Sequence, residues 1–281
     1  MSSRRYTYTS RAEAFDFDVS AYPPLPRLRG LLVTGTDTEV GKTLVAGAIA
    51  RQLRHGGQSV EVFKPVATGC PRQREGLVSA DAMFLAACAD SRRTLSEITP
   101  LRYSAALAPN IAAQREGKSV DLEAIFAEYR RLEGVADAVI VEGVGGLLCP
   151  ISDEFWVIHM ARMLALPLVI VARAGLGTIN HTLLTLQVAR AAGLKVAGVV
   201  VNRYRIEPAA EAELKKDAQP YTRGDADLAI YTNPQQIGRL GQVPILAVVP
   251  EEPASSVEKL SVGPETQFAV GQVDWCELMD R

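Results

Sequence analysis

Little in this chain points to nucleic acid or to a lipid surface. Its 30 lysines and arginines are outweighed by 32 aspartates and glutamates, a formal net charge of −2. That leaves no basic surplus for a phosphodiester backbone or an anionic membrane, so neither partner is expected. No apolar run approaches the ~20 residues that a membrane-spanning helix needs. Cysteine is sparse: Cys70, Cys88, Cys149 and Cys276 show neither CxxC nor Cys/His spacing. This argues against a zinc site and against a disulfide framework, and fits a reducing, cytoplasmic setting. Internal repeats and low-complexity tracts are also missing. Residues 1–29 lack the apolar segment of a secretory signal. They read as a surface extension or disordered arm, with their arginines leaving an organellar address as the alternative.

What is present suits a globular enzyme. Hydrophobic residues make up 48% of 281, enough for a substantial core in one large α/β domain or two small ones. Near-continuous Val/Ile/Leu runs, "VEVF", "AVIVEG", "LPLVIVA", "KVAGVVVN" and "VPILAVVP", alternate with the helical patterns "SADAMFLAACAD", "DLEAIFAEYRRL", "DEFWVIHMARML" and "TINHTLLTLQVARAAG". Buried strands separated by helices predict a mostly parallel central sheet with helices on both faces. Ligands in such sheets gather at the carboxyl ends of the strands. Gly35, Lys64, Glu142, Asn202 and Pro250 are expected to end strands there. The stretch 203–241 is the least regular and reads as an insertion, a helix followed by a loop.

The stretch "TGTDTEVGKT", residues 34–43, lies between an apolar run and a helical pattern. Strand, glycine loop and helix is the order of a phosphate-binding loop, in which backbone amides and the helix dipole face phosphate oxygens. Lys42 would neutralise phosphate charge and Thr43 would offer its hydroxyl to Mg²⁺. Five residues separate Gly35 from Gly41, one more than the common loop; a turn with a helix cap is the bland alternative. For Lys64, at a strand tip before Pro65, a solvated surface lysine is the commoner reading of the residues alone. Asp81 could be a helix cap, whereas Glu142 closes an apolar strand, where a carboxylate is costly without a cation or hydrogen bonds. Thr43, Asp81 and Glu142 together supply hard oxygens of the kind Mg²⁺ accepts.

In order and spacing, "TGTDTEVGKT", "KPVATG", "SAD", "VEGVGGLLCPI", "GLGTINHTLLT" and "VVVNR" resemble the dethiobiotin synthetase family, which shares the five-residue gap. The resemblance runs from about Gly30 to Asn202 and resumes at "VPILAVVP". It implies one P-loop NTPase-like domain over 30–281, acting as a homodimer on ATP, Mg²⁺, CO2 and diaminopelargonic acid. A carbamate formed on one amine would attack the γ-phosphate, and the second amine would close a cyclic urea as phosphate leaves. On matching positions, the resemblance makes Lys42, Lys64, Thr38 and Thr68 catalytic. It gives nucleotide contacts to Thr38, Glu39, Val40, Gly41, Lys42, Thr43, Leu44, Glu142, Gly145, Asn202 and Pro250. Thr38, Lys64, Thr68, Gly145, Gly177, Thr178 and Asn180 would bind the diamine, the last three taking its carboxylate across the dimer interface. The metal ligands would be Thr43, Asp81 and Glu142. His181 is expected to pack or hydrogen-bond rather than catalyse.

Three departures mark this chain. Asn110 replaces a common His, 203–241 is longer than in compact relatives, and the loop after Pro250 does not align. A regulatory nucleotide-binding module or a switch ATPase is the alternative. The switch class usually carries an extra lysine early in the loop, where this chain has Thr36 and Thr38. An amidating synthetase of cobalamin synthesis would need a further glutamine-handling domain.

Overall fold

The computed structural model describes residues 15, 17–18, 20, 22–74, 76–205 and 225–280; most of the N-terminal extension before Phe15, and residues 206–224 of the expected insertion, lie outside them. β1 (Gly30–Gly35) leads through the glycine loop into α1 (Lys42–His55) and β2 (Val60–Phe63). The short β3 (Val66–Ala67), β4 (Arg72–Gln73) and β5 (Gly76–Leu77) precede α2 (Ala80–Ala89), α3 (Leu95–Ile98), β6 (Leu101–Arg102), α4 (Pro109–Arg115) and α5 (Leu122–Arg130). β7 (Ala138–Gly146), α6 (Val157–Leu164), β8 (Leu168–Arg173), α7 (Thr178–Ala191) and β9 (Val196–Tyr204) then alternate. They are followed by α8 (Asp225–Gly241), β10 (Ile245–Pro250), α9 (Pro264–Gly271) and α10 (Trp275–Asp280).

Six strands form one parallel sheet in the order β10-β9-β8-β1-β7-β2. The period-2 pattern of each strand sorts its side chains onto two cores. Leu31 and Val33 of β1, Ile140 of β7 and Val169 and Val171 of β8 pack with α1, α2, α9 and α10. Leu32, Val139, Val141 and Ile170 face α5, α6, α7 and α8. Because both faces are covered, the strands carry apolar residues at nearly every position, which is why they read as continuous runs. Short polar caps set the helix starts: Ser79 Oγ accepts the Ala82 N–H at 3.2 Å, and Asp121 Oδ1 accepts that of Ala124 at 3.0 Å.

Three expectations need correction. Glu142 and Asn202 do not end their strands, since β7 continues to Gly146 and β9 to Tyr204. The β1–β7 ladder steps from Val33↔Glu142 to Gly35↔Gly146. The strand therefore bulges past Glu142, and such an irregularity re-aims side chains without ending the pairing. The "DEFWVIHMARML" helix begins only at Val157, because Pro150 and Trp156 form a bridge that turns the chain first. In 203–241 the described helix is α8, the second half of the stretch, and it tolerates Pro234 within it.

The apolar side chains Phe15, Phe17, Tyr22, Leu25 and Leu28 of the N-terminal extension pack on the protein. The Phe17 ring meets Phe155 edge-on with centroids 4.8 Å apart, and Tyr22 meets Phe126 at 4.8 Å. Leu25 and Leu28 are partly buried against the same core.

Candidate active site

The phosphate loop is bent so tightly that its glycines are dictated by space. A Cβ on Gly35 would lie 2.7 Å from Val40 Cγ2 and 2.9 Å from the Asp37 carbonyl. Gly41 adopts φ +92, and a Cβ there would lie 1.9 Å from Asn202 Nδ2. These are positions that only glycine fills without displacement. Asn202, 2% exposed on β9, donates from Nδ2 to the Val40 carbonyl at 2.9 Å. Asp37 folds back on the loop: its Oδ1 accepts the Thr38 N–H at 2.7 Å, and its carbonyl accepts Lys42 Nζ at 2.9 Å.

Behind the loop lies a charged cluster. Lys64, 3% exposed, pairs with Glu142 Oε1 at 2.6 Å and Asp81 Oδ2 at 3.0 Å, and donates to the Gly143 carbonyl at 3.2 Å. The Thr43 hydroxyl lies 2.9 Å from Glu142 Oε1 and 3.1 Å from Asp81 Oδ1. Burial on its own would depress the Lys64 pKa, but Glu142 and Asp81 outweigh it and hold the ammonium above its ordinary range. Burial pushes Asp81 upward too, yet Lys64 and the hydrogen bonds from Lys64 and Thr43 leave it below the usual carboxylate range. Lys42 is lowered by burial and then by the neighbouring Lys64. Glu142 is raised by burial, which Lys64 opposes without cancelling.

That residual cost, and a Glu142 Oε2 that is buried without a partner, leave room for a further cation at these oxygens. Two carboxylates and a hydroxyl are the hard donor set Mg²⁺ takes while keeping several waters. The residues fit the ion.

Loop and cluster open into one cavity of about 1150 Å³. Thr38, Glu39, Gly41, Lys42, Thr43, Leu44, Lys64, Thr68, Asp81, Glu142, Gly145, Asn202 and Pro250 all line it. Val40 is buried and contributes its carbonyl to Asn202 instead. Gly177, Thr178 and Asn180 stand apart from this cavity, at the start of α7. There Gly177 and Asn180 are exposed, while the Thr178 hydroxyl is buried without a partner. His181 lies on the exposed side of α7 rather than in the core. Asn110 Nδ2 donates to Asp153 at 3.0 Å, on α4.

The far wall of the cavity was not legible in sequence. It is formed by residues 251–253 and 255–258, a loop latched to α9. Glu252 Oε1 accepts the Thr266 N–H at 2.6 Å and the Ser255 hydroxyl at 3.1 Å, and Ser255 Oγ accepts the Gly263 N–H at 2.9 Å. Gly263 offers α9 no side-chain cap of its own, so Glu252 supplies one from a distance. The Gly-Pro start of α9 was the one sequence signal for a helix that needs an outside cap.

A parallel sheet, a phosphate loop at the tip of β1 and an acidic pair beside the loop threonine define a P-loop nucleotide-binding protein of the nucleoside-triphosphatase kind. Solved structures agree on the fold. The MinC:MinD cell division complex of Aquifex aeolicus matches with a TM-score of 0.50 at 15% identity, covering 90% of this chain and 95% of that one. A ParA family ATPase from Chlorobium tepidum TLS matches with a TM-score of 0.50 at 15% identity, covering 89% and 98%. A family model described as an AAA domain matches residues 29–259. The curated relatives are more specific. The ATP-dependent dethiobiotin synthetase BioD of Bacillus subtilis (strain 168) is 36% identical over 224 residues, 80% of this chain and 88% of the relative. That of Anaeromyxobacter sp. (strain K) is 38% identical over 237 residues, 84% and 96%. The chain belongs to the ATP-dependent dethiobiotin synthetase family.

Proposed function

We propose that this chain is a carbon–nitrogen cyclo-ligase that makes dethiobiotin from diaminopelargonic acid, CO2 and ATP, releasing ADP and phosphate. The observation that carries the reading is the convergence of Lys42, Lys64, Thr43, Asp81 and Glu142 at one end of a single cavity. One amine adds to CO2 to give a carbamate. A carbamate oxygen then takes the γ-phosphoryl group as ADP leaves, and the second amine attacks the carbonyl, closing the ring as phosphate departs. Such chemistry needs charge stabilisation more than a covalent nucleophile. The neighbouring Cys70 thiol is pushed up by burial to about 11.

Lys42 neutralises developing phosphoryl charge, and Lys64 holds the carbamate end with Thr68 and Thr38. Thr43, Asp81 and Glu142 would hold Mg²⁺, which would supply charge neutralisation for the transferring phosphoryl group. The first turn of α7, where Gly177 and Asn180 are exposed and Thr178 is buried, receives the substrate carboxylate bound in the partner subunit of a homodimer, helped by the helix dipole. Asn202 and Pro250 border the nucleoside.

Incubation with ATP, Mg²⁺, bicarbonate and the diamine should give one cyclic urea per ADP. ATP hydrolysis indifferent to the diamine, with no urea formed, would refute the assignment. Light scattering should return a mass of two chains.

A further inference from the structure

The cavity mechanism leaves one charged contact to the phosphate loop unused. Arg173, the last residue of β8, donates from Nη2 to Asp37 Oδ2 at 2.8 Å. The other oxygen of the same carboxylate accepts the Thr38 N–H at 2.7 Å, and the Asp37 carbonyl accepts Lys42 Nζ at 2.9 Å. Asp37 therefore sits between the guanidinium and two groups that face the cavity. Two residues on, Glu39 is held at φ +59, a left-handed conformation that a non-glycine residue keeps only when its surroundings impose it.

Arg173 is well placed to impose it. Its own strand is bonded to the loop start, the Thr36 N–H donating to the Val171 carbonyl at 2.9 Å. Just beyond it, the Ala174 and Gly175 carbonyls accept from Asn233 Nδ2 at 2.7 and 3.2 Å, and Asn233 is 4% exposed. The tip of β8 is thus fixed by a buried amide of α8 on one side and reaches the loop with a charge on the other.

We infer that Arg173 is a positioning residue of the phosphate loop, acting through Asp37 to hold the Thr38 peptide and the Lys42 ammonium in register with the nucleotide. The inference rests on reading the cavity as an ATP site. Arg173 and Asp37 are 44% and 49% exposed at their side chains, and a pair so open to water contributes little to global stability. Its loss should register in nucleotide affinity and not in unfolding.

The test uses Arg173→Ala, Arg173→Lys, Asp37→Asn and the double variant Asp37→Asn with Arg173→Ala. Asp37→Asn keeps an oxygen for the Thr38 N–H while giving up the charge. ATP Kd by calorimetry and KM for ATP should rise about tenfold in Arg173→Ala and in Asp37→Asn. The double variant should be no worse than the poorer single one. Arg173→Lys should recover part of the loss, and Tm should stay within about 2 °C of the parent. Single variants within twofold of the parent, effects that multiply in the double variant, or Tm falling in step with affinity would overturn the inference. An unaltered chain that binds ATP but forms no cyclic urea would instead sink the assigned activity, and the Kd comparison would still decide the role of Arg173.

Discussion

The two ends of the cavity are built on opposite principles. At the phosphate end, Lys64 and Glu142 are 3% and 1% exposed and their charges answer one another inside the sheet. At the far end, the wall of residues 251–253 and 255–258 lies beyond the last strand, and Glu252 and Ser255 tie it to the start of α9 through hydrogen bonds to Thr266 and Gly263. Burying ions is costly unless every partner is present, so the phosphate end tolerates almost no change. The far wall is wetter, and losing one tie there costs about what one helix cap is worth.

Breaking the comparison at its stronger side should give the largest effect. Lys64→Met removes the cation from two carboxylates. It is expected to lower cyclic urea formation by about 100- to 1000-fold and stability by about 3 kcal/mol, read by product assay and denaturant titration. If both stay near the parent values, the buried cluster is not the reactive end. Gly41→Ala forces a Cβ against Asn202 and strains φ. It should weaken nucleotide binding about 100-fold, measured by calorimetry.

Smaller changes sharpen the comparison. Asn202→Ala strands the Val40 carbonyl, a loss of about 1–3 kcal/mol for a buried acceptor, and KM for ATP should rise about tenfold. At the far wall, Glu252→Ala should lower stability by about 1 kcal/mol and raise KM for ATP only a few-fold, leaving KM for the diamine unchanged. A Glu252→Ala effect as large as that of Lys64→Met would erase the contrast between the two ends. The smallest effect is expected outside the cavity. Phe17→Ala removes the edge-on contact with Phe155 and should cost about 1 kcal/mol of stability, with turnover unaltered.

Which parts could be read beforehand follows the same division. The phosphate loop was legible because glycine, lysine and threonine at fixed offsets are a local requirement, set by the backbone turn that 34–43 must make. The sheet was legible because strands covered on both faces leave an apolar run in the chain. Asp81 was ambiguous for a good reason: it is the second residue of a helix capped by Ser79, where an acid also serves the dipole. Only the fold brings it to within 3.0 Å of Lys64. Arg173 carried no signal and Glu252 none of its own beyond the uncapped start of α9, since their partners, Asp37 and Thr266, lie 136 and 14 residues away.

By itself, the sequence determined the class of fold, the phosphate loop and the family, because each is written in short-range spacing and composition. Tertiary structure alone decided which polar groups meet. It put Glu142 at a bulge inside β7, joined Thr43 and Lys64 to it and brought Asp81 to both of those. It also closed the cavity with a loop held by a remote cap. The physical reason is range: a turn or a buried strand answers to neighbours in the chain, whereas a buried charge answers to whatever packing brings beside it.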